Sequence, residues 1–231
     1  MGALGLGRIE AAARQPYQYR GKLIAWLVFD ALLTLVNWAG RLSSGTPKQN
    51  TAYDWSTAIG AVIQFAILLA IIAWIARGEW GLLALRRPRS WARAVGQIIV
   101  LLVVVDIVNA ALDPLLHPGR EQGLTPSKWE PGHAAAFAVF AFAVVVMAPL
   151  TEELAYRGLG FGLLRPFSLA LSIGGSAVLW ALAHGLLDAL PVIILLGIGL
   201  AWIRYRQDST LPGMLAHASF NGIALAASLL H

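Results

Sequence analysis

Residues 134–159 read AAAFAVFAFAVVVMAPLTEELAYRGL, and the fold turns on which solvent this stretch meets. From Ala134 to Thr151 no residue is charged, a run that suits a helix crossing a bilayer. Glu152, Glu153 and Arg157 follow at once. Each costs roughly 2.5–3.5 kcal/mol at the bilayer centre, so each asks for a partner or a task. The stretch therefore predicts a membrane helix that carries a polar site into the interior of a helix bundle.

The same pattern recurs on both sides. Apolar runs over about 23–40, 55–76, 92–112, 133–164, 168–187, 190–204 and 211–230 alternate with Pro-, Ser- and Arg-rich breaks. Of the 231 residues, 58% are hydrophobic and 13% charged, with a mean hydropathy of +0.68; soluble domains carry roughly 25% charge. Too little polar surface remains to cover a soluble globule of this length. A soluble enzyme, a disordered chain and a fibrous protein are excluded. The expected fold is all-α: a polytopic transmembrane bundle of about seven spans, or eight, with its active site inside. Three parts are predicted: a cytoplasmic N-terminal segment at 1–22, read as a surface or interfacial helix, N-terminal spans at 23–129, and a catalytic core at 130–231. The absence of cysteine removes disulfides, thiolate metal sites and cysteine nucleophiles.

Charge placement gives the expected orientation. With the N-terminus in the cytoplasm, 13 of the 17 Lys and Arg residues fall on inside segments. This predicts N-in, C-out topology in a cell (inner) membrane, with multiple passes. Trp26, Trp38, Trp55, Trp74, Trp80, Trp91 and Trp129 fall near span ends, as interfacial aromatics do. The basic excess is thereby topological, and no nucleic-acid surface is expected.

Three polar elements interrupt the apolar second half. Glu153 and Arg157 stand i, i+4 with the carboxylate first, the favourable order for a helical ion pair. Glu152 points about 100° away and is free to act as a general base. His184 follows in the next span; a reversal near Pro166 brings it to the depth of Glu152, with Trp180 one turn earlier on the same face. His217 and Asn221, also i, i+4, present an imidazole and a carboxamide on one face, both suited to donate to an oxyanion; His217 is equally suited to hold a metal. Structural readings stand beside these: an ion pair that only holds helices together, a proton relay at Glu152, histidines and Asn221 as interhelical hydrogen bonds. Asp106 and Asn109 share a face and are expected to line the bundle, Asp30 is expected near an interface, and His117, His133 and His231 in loops or termini. No HExxH is present, Gly174-Gly175-Ser176-Ala177 is not a rhomboid-type serine motif, and no Gly-x-Gly-Asp occurs.

In this pattern the chain resembles the CPBP family of intramembrane proteases, which includes type II CAAX prenyl endopeptidases and bacteriocin-processing or self-immunity (Abi-like) relatives. Its motifs read here as Glu152-Glu153-Leu154-Ala155-Tyr156-Arg157, Trp180-Ala181-Leu182-Ala183-His184 and His217-Ala218-Ser219-Phe220-Asn221. The one departure is Trp180, where the family has Phe, an exchange that bears on pocket shape more than on chemistry. The resemblance covers roughly 130–231. It implies an intramembrane endopeptidase cutting a peptide bond near the cytoplasmic face. Glu152 and His184 would activate water, His217 and Asn221 would stabilise the oxyanion, and Glu153, Arg157 and Trp180 would support them. It leaves two cofactor states, none or one divalent metal (zinc) on Glu152, His184 and His217. The implied partners are the lipid bilayer and a membrane-anchored or C-terminal peptide substrate, prenylated or not. The alternatives are a non-catalytic membrane binding or immunity protein of the same fold and a proton-coupled carrier; a carrier would show repeated halves, and none are visible.

Overall fold

The structure is a computed structural model that describes residues 18–44, 50–116, 126 and 128–229. Most of the 1–22 segment, His117 and His231 lie outside the described residues. Among the described residues, seven longer helices follow in order: α1 Arg20–Ser44, α2 Trp55–Ala76, α3 Trp91–Leu116, α4 Pro131–Leu164, α5 Leu171–Ala183, α6 Leu190–Gln207 and α7 Leu211–Ser228. No strand occurs among the described residues. Each predicted span thus contains one of these helices, and the chain is a multi-pass membrane protein.

Five helices, α1 to α4 and α6, are long and apolar enough to cross a bilayer, against the seven spans expected. α5 falls short because it ends at Ala183, where Gly185 turns the chain with φ +67°. In α7 the polar residues His217, Ser219 and Asn221 lower the hydropathy. The share of each spanning window buried inside the protein separates rim from centre: 17% in α1, α2 and α3, 33% in α4 and 50% in α6. Outward residues of the rim helices are apolar, among them Leu35, Val36, Ile63, Ile67, Val100 and Ile107, as a lipid-facing surface requires.

The core gathers α4, α5 and α6 around Tyr156, Leu159, Trp180, Leu196 and Leu200. Gly197 lets α6 approach α5 closely; a Cβ there would meet Ala177 and the Trp180 ring at 3.0 and 3.1 Å. Segments assigned by charge to one membrane side do meet: Arg89 N–H donates to the Gln207 carbonyl at 3.1 Å, and Thr210 N–H to that of Ala84 at 3.1 Å. At the same end Lys22 Nζ donates to the Ile75 and Arg77 carbonyls, both at 2.7 Å, closing the C-terminus of α2.

Candidate active site

α4 is not a uniform helix. Residues Ala143–Met147 and Glu153–Gly160 are π-helical, and the first of these follows from Pro149. In an α-helical register its ring would clash with the carbonyl four residues earlier. The widened turn avoids this, and Ala148 N–H donates to Ala143 five residues back. In that register the partner of the Val144 carbonyl would be Pro149, which has no N–H. Asn221 Nδ2 fills the gap, donating to Val144 at 2.9 Å. One amide hydrogen of Asn221 is therefore committed to the fold, and its bond goes to the main chain of α4 and not to the acidic and imidazole groups described next.

The second π-stretch separates the two glutamates. Glu153 and Arg157 are wholly buried, joined at 3.0 Å, and Arg157 Nη2 also donates to the Gly197 carbonyl at 3.2 Å. The guanidinium lies 4.3 Å above the Trp180 ring. Glu153 Oε2 and Arg157 Nε have no hydrogen-bond partner among the described residues. Glu153 sits so tightly against α7 that a Cβ on Gly213 would come within 2.5 Å of Oε2. Glu152 is different: its side chain is 21% exposed, so it alone of the pair is reachable by a substrate.

Glu152 Oε2 is the meeting point. Trp180 Nε1 donates to it at 2.5 Å, His184 Nε2 lies 3.7 Å away and His217 Nε2 3.9 Å away. The Trp180 ring stands edge-on between the imidazoles, its centroid 4.8 Å from that of His184 and 5.2 Å from that of His217. The far nitrogen of each imidazole fixes its tautomer. His184 Nδ1 is 2.8 Å from the Trp180 carbonyl, which can only accept, so Nδ1 carries the proton. His217 Nδ1 is 3.3 Å from Glu153 Oε1 and is held as a donor in the same way. In their neutral forms both histidines therefore turn an Nε2 lone pair towards Glu152. Glu153 thus orients His217 as well as pairing with Arg157.

The depth match predicted for Glu152 and His184 is realised in their approach to 3.7 Å, and the chain turns inward just after His184. Gly185 is buried, and a Cβ on it would lie 3.1 Å from the Asn37 backbone.

Sequence reasoning missed α1. Trp26 and Trp38, read as interfacial, both serve the site: Trp26, fully buried, donates from Nε1 to the Ala155 carbonyl at 2.9 Å, and Trp38 Nε1 to the Leu182 carbonyl at 2.8 Å. Asn37 Nδ2 donates to the Ala183 carbonyl at 2.5 Å. Asp30, expected near an interface, is buried and accepts from the Tyr156 hydroxyl at 2.8 Å. Positions 26, 30 and 37 share one helix face by spacing, the one sequence signal that pointed there. α1 thereby clamps the glutamate helix and the end of α5 that presents His184. Trp26→Phe removes the indole hydrogen bond to α4. The expected loss from that bond is about 0.5–1.5 kcal/mol of stability, read by thermal unfolding in detergent. Asp106 is exposed on α3 and takes no part in the cluster.

The donor set fits a cation in kind: two imidazoles whose other nitrogens are fixed by a carbonyl and a carboxylate, and one carboxylate oxygen. Its separations of 3.7 and 3.9 Å exceed the roughly 3.4 Å edge that tetrahedral zinc bonds of about 2.1 Å imply. No group of three His, Cys, Asp or Glu among the described residues is already drawn together as a ligand set.

Comparison with known families gives a match over residues 134–223, to the family model described as Rce1-like, type II CAAX prenyl endopeptidase. That segment contains Glu152, Glu153, Arg157, Trp180, His184, His217 and Asn221. No curated protein and no solved structure matches the chain.

Proposed function

We propose, from the similarity of residues 134–223 to the Rce1-like, type II CAAX prenyl endopeptidase family model, that Glu152 is the general base of an intramembrane endopeptidase. The observation that carries the reading is the convergence on Glu152 Oε2 of two imidazole Nε2 atoms at 3.7 and 3.9 Å, with the neighbouring Glu153 sealed off. A water beside Glu152 and His184 donates one hydrogen bond to each. As it attacks the peptide carbonyl its proton passes to Glu152, which then delivers it to the departing amine nitrogen as the C–N bond breaks. We assign His217, oriented by its Nδ1 contact to Glu153 at 3.3 Å, and the second amide hydrogen of Asn221 to stabilising the oxyanion. Trp180 holds the Glu152 carboxylate in place. If a divalent cation is resident, Glu152, His184 and His217 are the residues that would hold it, and it would supply a bound water of lowered pKa.

The substrate reading is a membrane-associated peptide cut near the cytoplasmic face, with the N-terminus in the cytoplasm of a cell (inner) membrane. The test is cleavage of matched farnesylated and unfarnesylated CAAX peptides by detergent-purified protein, with and without a zinc chelator. Faster cleavage of the farnesylated peptide supports a prenyl-reading site. Chelator sensitivity reversed by zinc assigns a metal, and insensitivity assigns the glutamate mechanism. No cleavage of any peptide by folded protein would favour a non-catalytic binding role. Trp180→Phe keeps the ring but deletes the indole donor. About tenfold slower cleavage is expected, since hydrogen bonds to charged groups are worth about 1.5–3 kcal/mol, together with a loss of thermal stability from the space the smaller ring leaves in the core.

A further inference from the structure

Away from the Glu152 cluster, the start of α3 and the end of α6 close on a cleft of about 230 Å³ lined by Arg89, Arg93, Gln97, Tyr205, Arg206 and Gln207. Its floor is rigid. Gln207 is buried; its carboxamide accepts from Ser90 N–H at 3.2 Å and donates to Gln97 Oε1 at 2.7 Å. With Gln97 Oε1 so engaged, the amide hydrogens of Gln97 are left to face a ligand.

The charges around this cleft do not cancel. The adjacent carboxylate, Asp208, accepts from Arg86 at 2.8 Å and from Arg204 at 3.1 Å, so its charge is already shared between two arginines. Arg89 and Arg93 form no ion pair among the described residues, and Arg206 lies over the Trp202 ring at 5.3 Å. All three guanidinium groups are exposed at the cleft, and an anion seated between them would offset their mutual repulsion. The exposed Trp91, Trp202 and Tyr205 on the same elements are the aromatics of a membrane–water boundary, which sets the cleft at headgroup depth.

We infer that this cleft binds the phosphate of an anionic membrane lipid, the three arginines pairing with the phosphate oxygens and the Gln97 amide adding a donor. Basic pockets between membrane helices on the cytoplasmic side are suited to this task. The inference does not depend on the protease reading.

The test is native mass spectrometry of the full chain with phosphatidylglycerol, phosphatidylcholine and soluble glycerol phosphate. Arg89→Gln/Arg93→Gln/Arg206→Gln is compared with the control Arg20→Gln/Arg77→Gln/Arg165→Gln, which removes the same charge from exposed positions elsewhere. Phosphatidylglycerol retention is expected to fall about fivefold for each cleft arginine lost, and less than threefold in total in the control. Should the triple variant fail to fold, Arg89→Gln and Arg93→Gln singly carry the same comparison. Equal losses in both triple variants, or equal binding of phosphatidylcholine, would overturn a built site. Displacement of the lipid by equimolar glycerol phosphate would overturn the lipid as its source.

Discussion

Glu152→Gln is expected to abolish peptide cleavage while leaving the protein folded. The substitution keeps size and shape, and a carboxamide oxygen still accepts the Trp180 indole hydrogen that lies 2.5 Å from Oε2. What it removes is the capacity to take a proton from water. General acid–base groups contribute about 10²–10⁴-fold, and here one group both receives the proton and returns it, so a loss of at least about a hundredfold is expected. Stability should change by less than about 1 kcal/mol, because the group is partly exposed and is not half of an ion pair. Activity against the same peptide and thermal unfolding in the same detergent check both statements. A variant that cleaves normally would show that Glu152 is not the base.

Arg157→Met is expected to destabilise the protein more than Trp26→Phe, Trp180→Phe or Glu152→Gln. Its guanidinium is wholly buried, bound to Glu153 at 3.0 Å and to the Gly197 carbonyl at 3.2 Å, and stacked on Trp180. Removing it leaves Glu153 as an uncompensated buried carboxylate, a change that costs about 3–5 kcal/mol. The companion Glu153→Gln/Arg157→Met leaves neither charge and should recover part of that stability. It should stay catalytically impaired, because His217 Nδ1 then faces a carboxamide instead of a carboxylate. Thermal unfolding of wild type, both single variants and the double variant gives the coupling directly. A double variant no more stable than Arg157→Met would mean that the lost contacts to Gly197 and Trp180, and not the stranded charge, dominate.

The helical segments were legible in sequence because lipid allows few alternatives: an uncharged run such as 134–151 must satisfy its backbone internally. The approach of Glu152 and His184 was legible for a related reason, while His217 joined them only through the family resemblance. Ionisable groups are rare in such runs, and helical rise converts their spacing into depth. The span count was less legible, since α5 and α7 trade apolar length for the turn at Gly185 and for the polar groups of the site. The role of α1 was hidden. Trp26, Asn37 and Trp38 bind main-chain carbonyls of α4 and α5, and a carbonyl leaves no trace in residue type. Asn221 was read as an oxyanion donor from its spacing to His217. Its bond to Val144 depends on the π-turn that Pro149 forces, which a uniform helical wheel does not represent.

The most direct measurement of the central claim is hydrolysis in ¹⁸O-water by purified wild type and Glu152→Gln, with the fragments weighed by mass spectrometry. If Glu152 activates water at the imidazole pair, wild type yields two fragments and the new C-terminal carboxylate carries one ¹⁸O, while the variant yields neither fragment. Equal cleavage by the two proteins, or intact peptide from a folded wild type across prenylated and unprenylated substrates, would contradict it.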